Sequence, residues 1–229
     1  MANLRYKNVL LAIGLLVMAA GAVLAISGAT PTPVGPPTRW AGNAAGNITT
    51  QAGNITALNI SGVVLTTKWA DFFGNVTGTI VLGNGLANIY SWSYTTTTAG
   101  RVCLATNSSW IASGVPSAAT GANIDSAWGF PPGDADSGTL TYSSNSCNLN
   151  LSGGTISGTG NVTLKGSSTF NDCVISNGVI STGATGNLAF CTNINSTGES
   201  YNGVPSNFEV MVPVNQTSTT AYYFYAELG

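Results

Sequence analysis

The chain has 229 residues, of which 6% are charged, 44% are hydrophobic and none is histidine. Globular proteins average about 25% charged residues, so water here must be held by the Ser, Thr and Asn that fill about a third of the sequence. The missing histidine excludes Ser-His-Asp and Cys-His nucleophiles and His-ligated zinc. Six basic residues, no two of them adjacent, exclude the phosphate-neutralising patches of a nucleic-acid binder.

Arg5 and Lys7 precede an uncharged apolar run from Val9 to Ile26. As a helix it would be about 27 Å long, close to a hydrocarbon core of about 30 Å, with its positive flank on the cytoplasmic side. Small residues at Ala22, Ala25, Gly28 and Ala29 suit a signal-peptidase site near Ala25 or Ala29. Residues 1–29 are therefore expected to be a signal peptide or an N-terminal membrane anchor. Either places the remainder at the cell surface or outside it. Four prolines between Pro31 and Pro37 make residues 30–39 an extended linker. Residues 40–229 follow as a β domain, with a subdomain split expected near 113–137. Beyond the leader, four basic residues stand against eight carboxylates.

After residue 40 no long stretch has the apolar period of a helix. Short β-branched alternations recur between Gly, Asn and Ser breaks. The segment from Ala41 to Leu65 alternates polar and apolar residues with no evident partner strand. Asn75–Leu82 reads as a strand ending at the turn Gly83-Asn84-Gly85, and Val162 and Leu164 alternate with polar Thr163 and Lys165. Cys173–Ser176 and Val179–Thr182 flank Asn177-Gly178, a strong hairpin signal. Glu209–Val214 reads as an edge or bulged strand because of Pro213, and Ala221–Ala226 as the closing strand. The expected fold is all-β, an antiparallel sandwich after the N-terminal helix. The alternative is a partial β-solenoid over Ser152–Phe190. Gly-Asn-Ile/Val-Thr tetrads begin at Gly46, Gly53, Gly74 and Gly160, a local duplication without a fixed period.

Nine Asn-X-Ser/Thr sequons are candidate glycosylation sites: Asn47, Asn54, Asn59, Asn75, Asn107, Asn150, Asn161, Asn195 and Asn215. Sugars would solubilise a surface with few charges. Cys103, Cys147, Cys173 and Cys191 are expected to form two disulfides, as exported chains do; three pairings are open. Asp134 and Asp136, with Asp125 nearby, are the weak candidates for a metal site, in a Gly133–Gly138 loop that could wrap calcium. The competing reading is a solvated turn. No other cofactor and no catalytic residue is assigned. Trp69 and Trp92 are expected in the core, whereas Trp110 and Trp128 border loops and could stack a sugar.

The run Trp69-Ala70-Asp71-Phe72-Phe73-Gly74-Asn75-Val76-Thr77-Gly78, followed by Ile89-Tyr90-Ser91-Trp92, resembles a segment of uncharacterised archaeal cell-surface proteins. Phe208–Pro213 and Tyr222–Leu228 are similar to their closing strands. Asp71 stands where those proteins usually have Gly. The resemblance implies an exported, glycosylated β domain and brings no activity.

The resulting expectation is a non-enzymatic structural component of the archaeal cell surface: a filament, pilus, sheath or surface-layer subunit. Its partners would be copies of itself or other surface proteins, and the membrane if the N-terminal helix is uncleaved. Ala41–Leu65 is expected to complete a neighbour's sheet by β-strand addition. The alternatives are a membrane-tethered adhesin or glycan-binding module and, behind it, a type IV pilin-like subunit.

Overall fold

A computed structural model describes residues 26–39, 44–94, 100–110, 116–151, 154–164 and 170–228. The apolar run up to Ala25, together with Trp40 and Lys165, lies outside the described residues. Among these no helix is long and apolar enough to cross a membrane.

Among the described residues twelve strands carry the fold, and every pairing is antiparallel. They are β1 (Ser27–Ala29), β2 (Trp69–Gly74), β3 (Gly78–Gly83), β4 (Asn88–Tyr94), β5 (Arg101–Ala105), β6 (Ser117–Ala118), β7 (Ser144–Leu151), β8 (Gly154–Thr163), β9 (Asn171–Ser176), β10 (Leu188–Asn193), β11 (Phe208–Pro213) and β12 (Tyr223–Glu227). Eight form one sheet in the order β1-β12-β5-β10-β9-β8-β7, with β6 on β9; β11 pairs with β2, and β3 with β4. Stacked parallel rungs, which a solenoid would need, are not seen among these pairings. Residues before and after 113–137 share the large sheet, since β5 lies between β12 and β10.

The central strands are buried on both faces, so their side chains alternate between two cores. Val102, Leu104, Val174, Leu188 and Phe190 point to one side. There Val210 and Val212 of β11 cover them, with Ile124 and Ala127 of helix α1 (Gly121–Trp128) and the ring of Tyr142. Cys103, Ala105, Cys173, Ile175, Ala189 and Cys191 point to the other side, against Trp110 and against Cys147, Leu149 and Leu151 of β7. Burying each large side chain contributes about 1.5–3 kcal/mol.

Two disulfides, Cys103–Cys191 and Cys147–Cys173, lie in this second core. The first crosses β5 and β10 at directly opposed positions; the second ties β7 to β9.

Helix α1 departs from the all-strand expectation. Thr120 caps it: its backbone N–H donates to Asn123 Oδ1 at 2.8 Å, and Gly129 ends it with φ +69°. A short helix α2 (Gly138–Thr141) abuts α1. A Cβ on Gly121 would collide with the Gly138 carbonyl, so glycine is what lets the two backbones touch.

The Asn177-Gly178 hairpin is not formed. β9 pairs instead with β10, and residues 177–187 make a longer connection. Asn177 is buried, and its Nδ2 donates to the Trp110 carbonyl at 2.6 Å. Gly178 is not among the glycines with positive φ, which a tight type I′ turn requires. The Gly83–Gly85 turn is formed as expected: Asn84 Oδ1 accepts from Leu86 N and Ala87 N, and Gly85 has φ +82°.

Candidate functional site

Between β1 and β2 the described chain runs through residues 30–39 and 44–67 without secondary structure apart from bends and one turn. Residues 44–64 are all exposed. A segment this long without internal structure is unusual in a compact domain and is commonly functional. It leaves Ile48, Ile55, Leu58, Ile60 and Val64 in water, and no charge occurs from residue 40 to residue 67; Lys68 follows at the far end.

That end is fastened. Lys68 Nζ donates to Asp134 Oδ2 at 2.7 Å and to Asp136 Oδ1 at 2.6 Å, and Thr66 Oγ1 donates to Asp136 Oδ2 at 2.8 Å. Trp69 Nε1 donates to the Asp136 carbonyl at 2.7 Å, and the ammonium sits 5.7 Å from the Phe130 ring centre. Hydrogen bonds to the two carboxylates raise the Lys68 pKa, and the same bond lowers that of Asp136. The ammonium is thus kept protonated and non-nucleophilic.

The loop proposed to wrap calcium therefore holds a lysine between its two carboxylates. Asp125, the suggested third ligand, is turned elsewhere: Oδ1 accepts from Gly138 N at 2.5 Å and Oδ2 from Thr139 N at 2.9 Å. Among the described residues no group of three potential metal ligands converges.

The second exposed feature is the β3–β4 ribbon, which joins neither the eight-stranded sheet nor the β2–β11 pair. Ile80 faces Trp92 and Leu82 faces Tyr90 across the pair, while Thr79 faces Ser93 and Val81 faces Ser91. One face is thus apolar and the other mostly hydroxylic. Ile80, Leu82, Tyr90 and Trp92 are 41%, 54%, 58% and 49% exposed. Trp92 is therefore not a core residue, contrary to its strand-like context; it packs on Tyr90 at 4.7 Å and is half exposed. No charge occurs between Gly78 and Tyr94.

The other tryptophans divide differently from expectation. Trp110 is fully buried and is no sugar platform. Trp69 packs on the core, 5.7 Å from Tyr142 and 5.9 Å from Phe130. Trp128 stacks on Tyr222 at 6.5 Å and lines an open cleft of about 660 Å³ with Thr106, Thr182, Asn215 and Thr220.

Among the sequons, Asn47, Asn54, Asn59, Asn75, Asn150 and Asn215 are exposed and Asn107 and Asn195 half-buried. Asn161 is 6% exposed. Its Nδ2 donates to Asn171 Oδ1 at 2.8 Å and its Oδ1 accepts from Ser146 N at 3.1 Å, so the folded chain has no room for a sugar there.

A buried acidic group, unmarked in the sequence, underlies the β2–β11 pair. Asp172 is fully buried; its Oδ2 accepts from Tyr142 Oη at 2.6 Å and from Met211 N at 2.9 Å. Its Oδ1 has no partner among the described residues. Burial raises its pKa well above the carboxylate range. Asp71 opposes Met211 in the extended middle of β2, with no turn at that position. Although that residue is open to solvent on one side, crowding of its carboxyl and the charge of Glu209 push it up to about 7. Burial also raises Glu209, whose Oε1 accepts from Tyr201 N at 2.9 Å. Asp172 and Glu209 are buried and Asp71 is exposed, and burial raises the pKa of all three.

No family model, no characterised protein and no solved structure matches the chain.

Proposed function

We propose that the protein is a non-enzymatic structural subunit of the cell surface, of the filament, pilus, sheath or surface-layer kind, that assembles by β-strand addition. The observation that carries this reading is the segment 44–64: without regular structure apart from one turn, uncharged, exposed throughout, and mixing apolar with polar residues, in strict alternation over Leu58–Ser61. Unpaired backbone with apolar alternation is the donor half of strand addition. Two disulfides suit an oxidising, extracellular setting. The resemblance to archaeal surface β domains supports the same location, with sugars on the exposed sequons and a cleaved signal or retained anchor within residues 1–29. The β2–β11 pair over the large sheet supports a two-layer sandwich. Low charge removes most electrostatic cost of packing copies side by side.

The test is sedimentation and negative-stain imaging of the ectodomain, compared with a version in which residues 44–64 become Gly-Ser of equal length. Polymers should form only with the natural segment. Polymers of unchanged length without it would overturn the reading. The second reading, a glycan-binding adhesin, rests on the Trp128 cleft with its hydroxyl and amide lining. It requires oligosaccharide quenching of a fluorescence signal that Trp128→Phe removes.

A further inference from the structure

The acceptor for the exposed arm is also visible in this chain. We infer that Leu58–Val64 of one copy pairs along the outer edge of β4 in a second copy, turning the β3–β4 ribbon into a three-stranded sheet. This rests on the strand-addition reading above and names its partner.

Four observations support the pairing. A two-stranded ribbon is marginal in water, whereas three strands with an apolar face are self-sustaining; β3–β4 has two strands and an exposed apolar face among the described residues. Natural edges are usually blunted by Lys, Pro or inward charge, and none of these occurs between Gly78 and Tyr94. The patterns match: Leu58, Ile60 and Val64 would extend the Tyr90/Trp92 face, and Asn59 and Ser61 the Ser91/Ser93 face. Val63 is the one mismatch. Asn59, a sequon, then points away from the apolar side and would carry a sugar without obstructing the contact.

Length agrees as well. Leu58–Val64 has seven residues, as does β4. The other edge is less accessible, because Leu228 crowds Gly78 at the start of β3. The occupant is a second copy because residues 44–64 pair with no strand of their own chain among the described residues, which leaves donor and ribbon edge both open to another molecule. Donor and acceptor are different surfaces, so the contact is head-to-tail and propagates into an open filament.

The test uses two ectodomain variants, Leu58→Asp/Ile60→Asp in the arm and Ile80→Asp/Tyr90→Asp in the ribbon. All four residues are exposed, so both variants should keep the wild-type unfolding transition. Each alone should lose at least tenfold in polymer fraction by sedimentation velocity. Mixed in equal amounts they should form dimers and nothing larger, since one good arm meets one good ribbon. If the ribbon variant polymerises like wild type while the arm variant does not, this acceptor is wrong and strand addition stands. If the arm variant also polymerises, or wild type stays monomeric, both fall. A readout independent of the ribbon variant's folding is cross-linking between one pool carrying Ser61→Cys and another carrying Ser91→Cys. A mixed disulfide dimer is expected; none in assembled material overturns the inference.

Discussion

Asp172→Asn separates burial from charge in the acidic layer beneath β11. The wild-type carboxyl is fully enclosed, and burial raises its pKa well above the ordinary value. In the unfolded chain it loses its proton near pH 3.9. Above that pH the folded state holds a proton that the unfolded state has released. Stability from this group is therefore complete below about pH 4 and lost as pH rises toward the folded pKa. The slope is about 1.4 kcal/mol per pH unit for one group at any pH between its unfolded and its folded pKa. Asparagine keeps the acceptor for Tyr142 Oη and Met211 N but puts an amide where Oδ1 has no partner. That costs about 1–3 kcal/mol at every pH. Urea unfolding from pH 4.5 to 7.5, disulfides intact, should show the variant weaker at acid pH and the gap closing or reversing toward neutrality. Asp71 and Glu209, also raised, add the same sign to both proteins. Parallel curves, or wild-type stability rising through this window, would refute the reasoning.

The Lys68 clamp predicts a proteolysis pattern: trypsin should cut wild type after exposed Arg39 and spare the enclosed Lys68–Trp69 bond. Asp134→Asn/Asp136→Asn should open that second site, and equal cleavage rates would count against the clamp. The two disulfides should differ in worth. Loop-closure entropy assigns about 4–5 kcal/mol to Cys103–Cys191, spanning 88 residues, and about 3–4 kcal/mol to Cys147–Cys173, spanning 26. Paired Cys→Ala variants in denaturant should rank in that order. Glycopeptide mapping of native material should find Asn161 bare while several exposed sequons are occupied, and full occupancy at Asn161 would mean that β7 and β8 open before modification.

Strand content was legible where β-branched alternation met a turn whose backbone is local. Gly83-Asn84-Gly85 needs only its own residues, and Phe208–Pro213 and Tyr223–Glu227 form near the expected positions. Asn177-Gly178 misled because a buried tether to Trp110 outweighs its turn preference. Helix α1 went unread because eight residues carry little periodicity, although Thr120, Asn123 and Gly129 were its capping signals. Sequence gave four cysteines without pairing; sheet order supplied it, by setting β10 beside β5. Exposure was hardest to read. Trp92 has a strand context but no covering layer among the described residues, whereas Trp110 borders a loop and lies in the core. The uncharged arm was visible as alternation, but its clamp was not, since Lys68 and Asp134 are 66 residues apart.

The arm is moored at both ends, by β1 on β12 and by Lys68 between two aspartates. A span held this way has no loose tip to thread through a closed ring of strands; it can only be laid along an open margin from the side. Subunits joined so could enter or leave a fibre laterally, without either one unravelling.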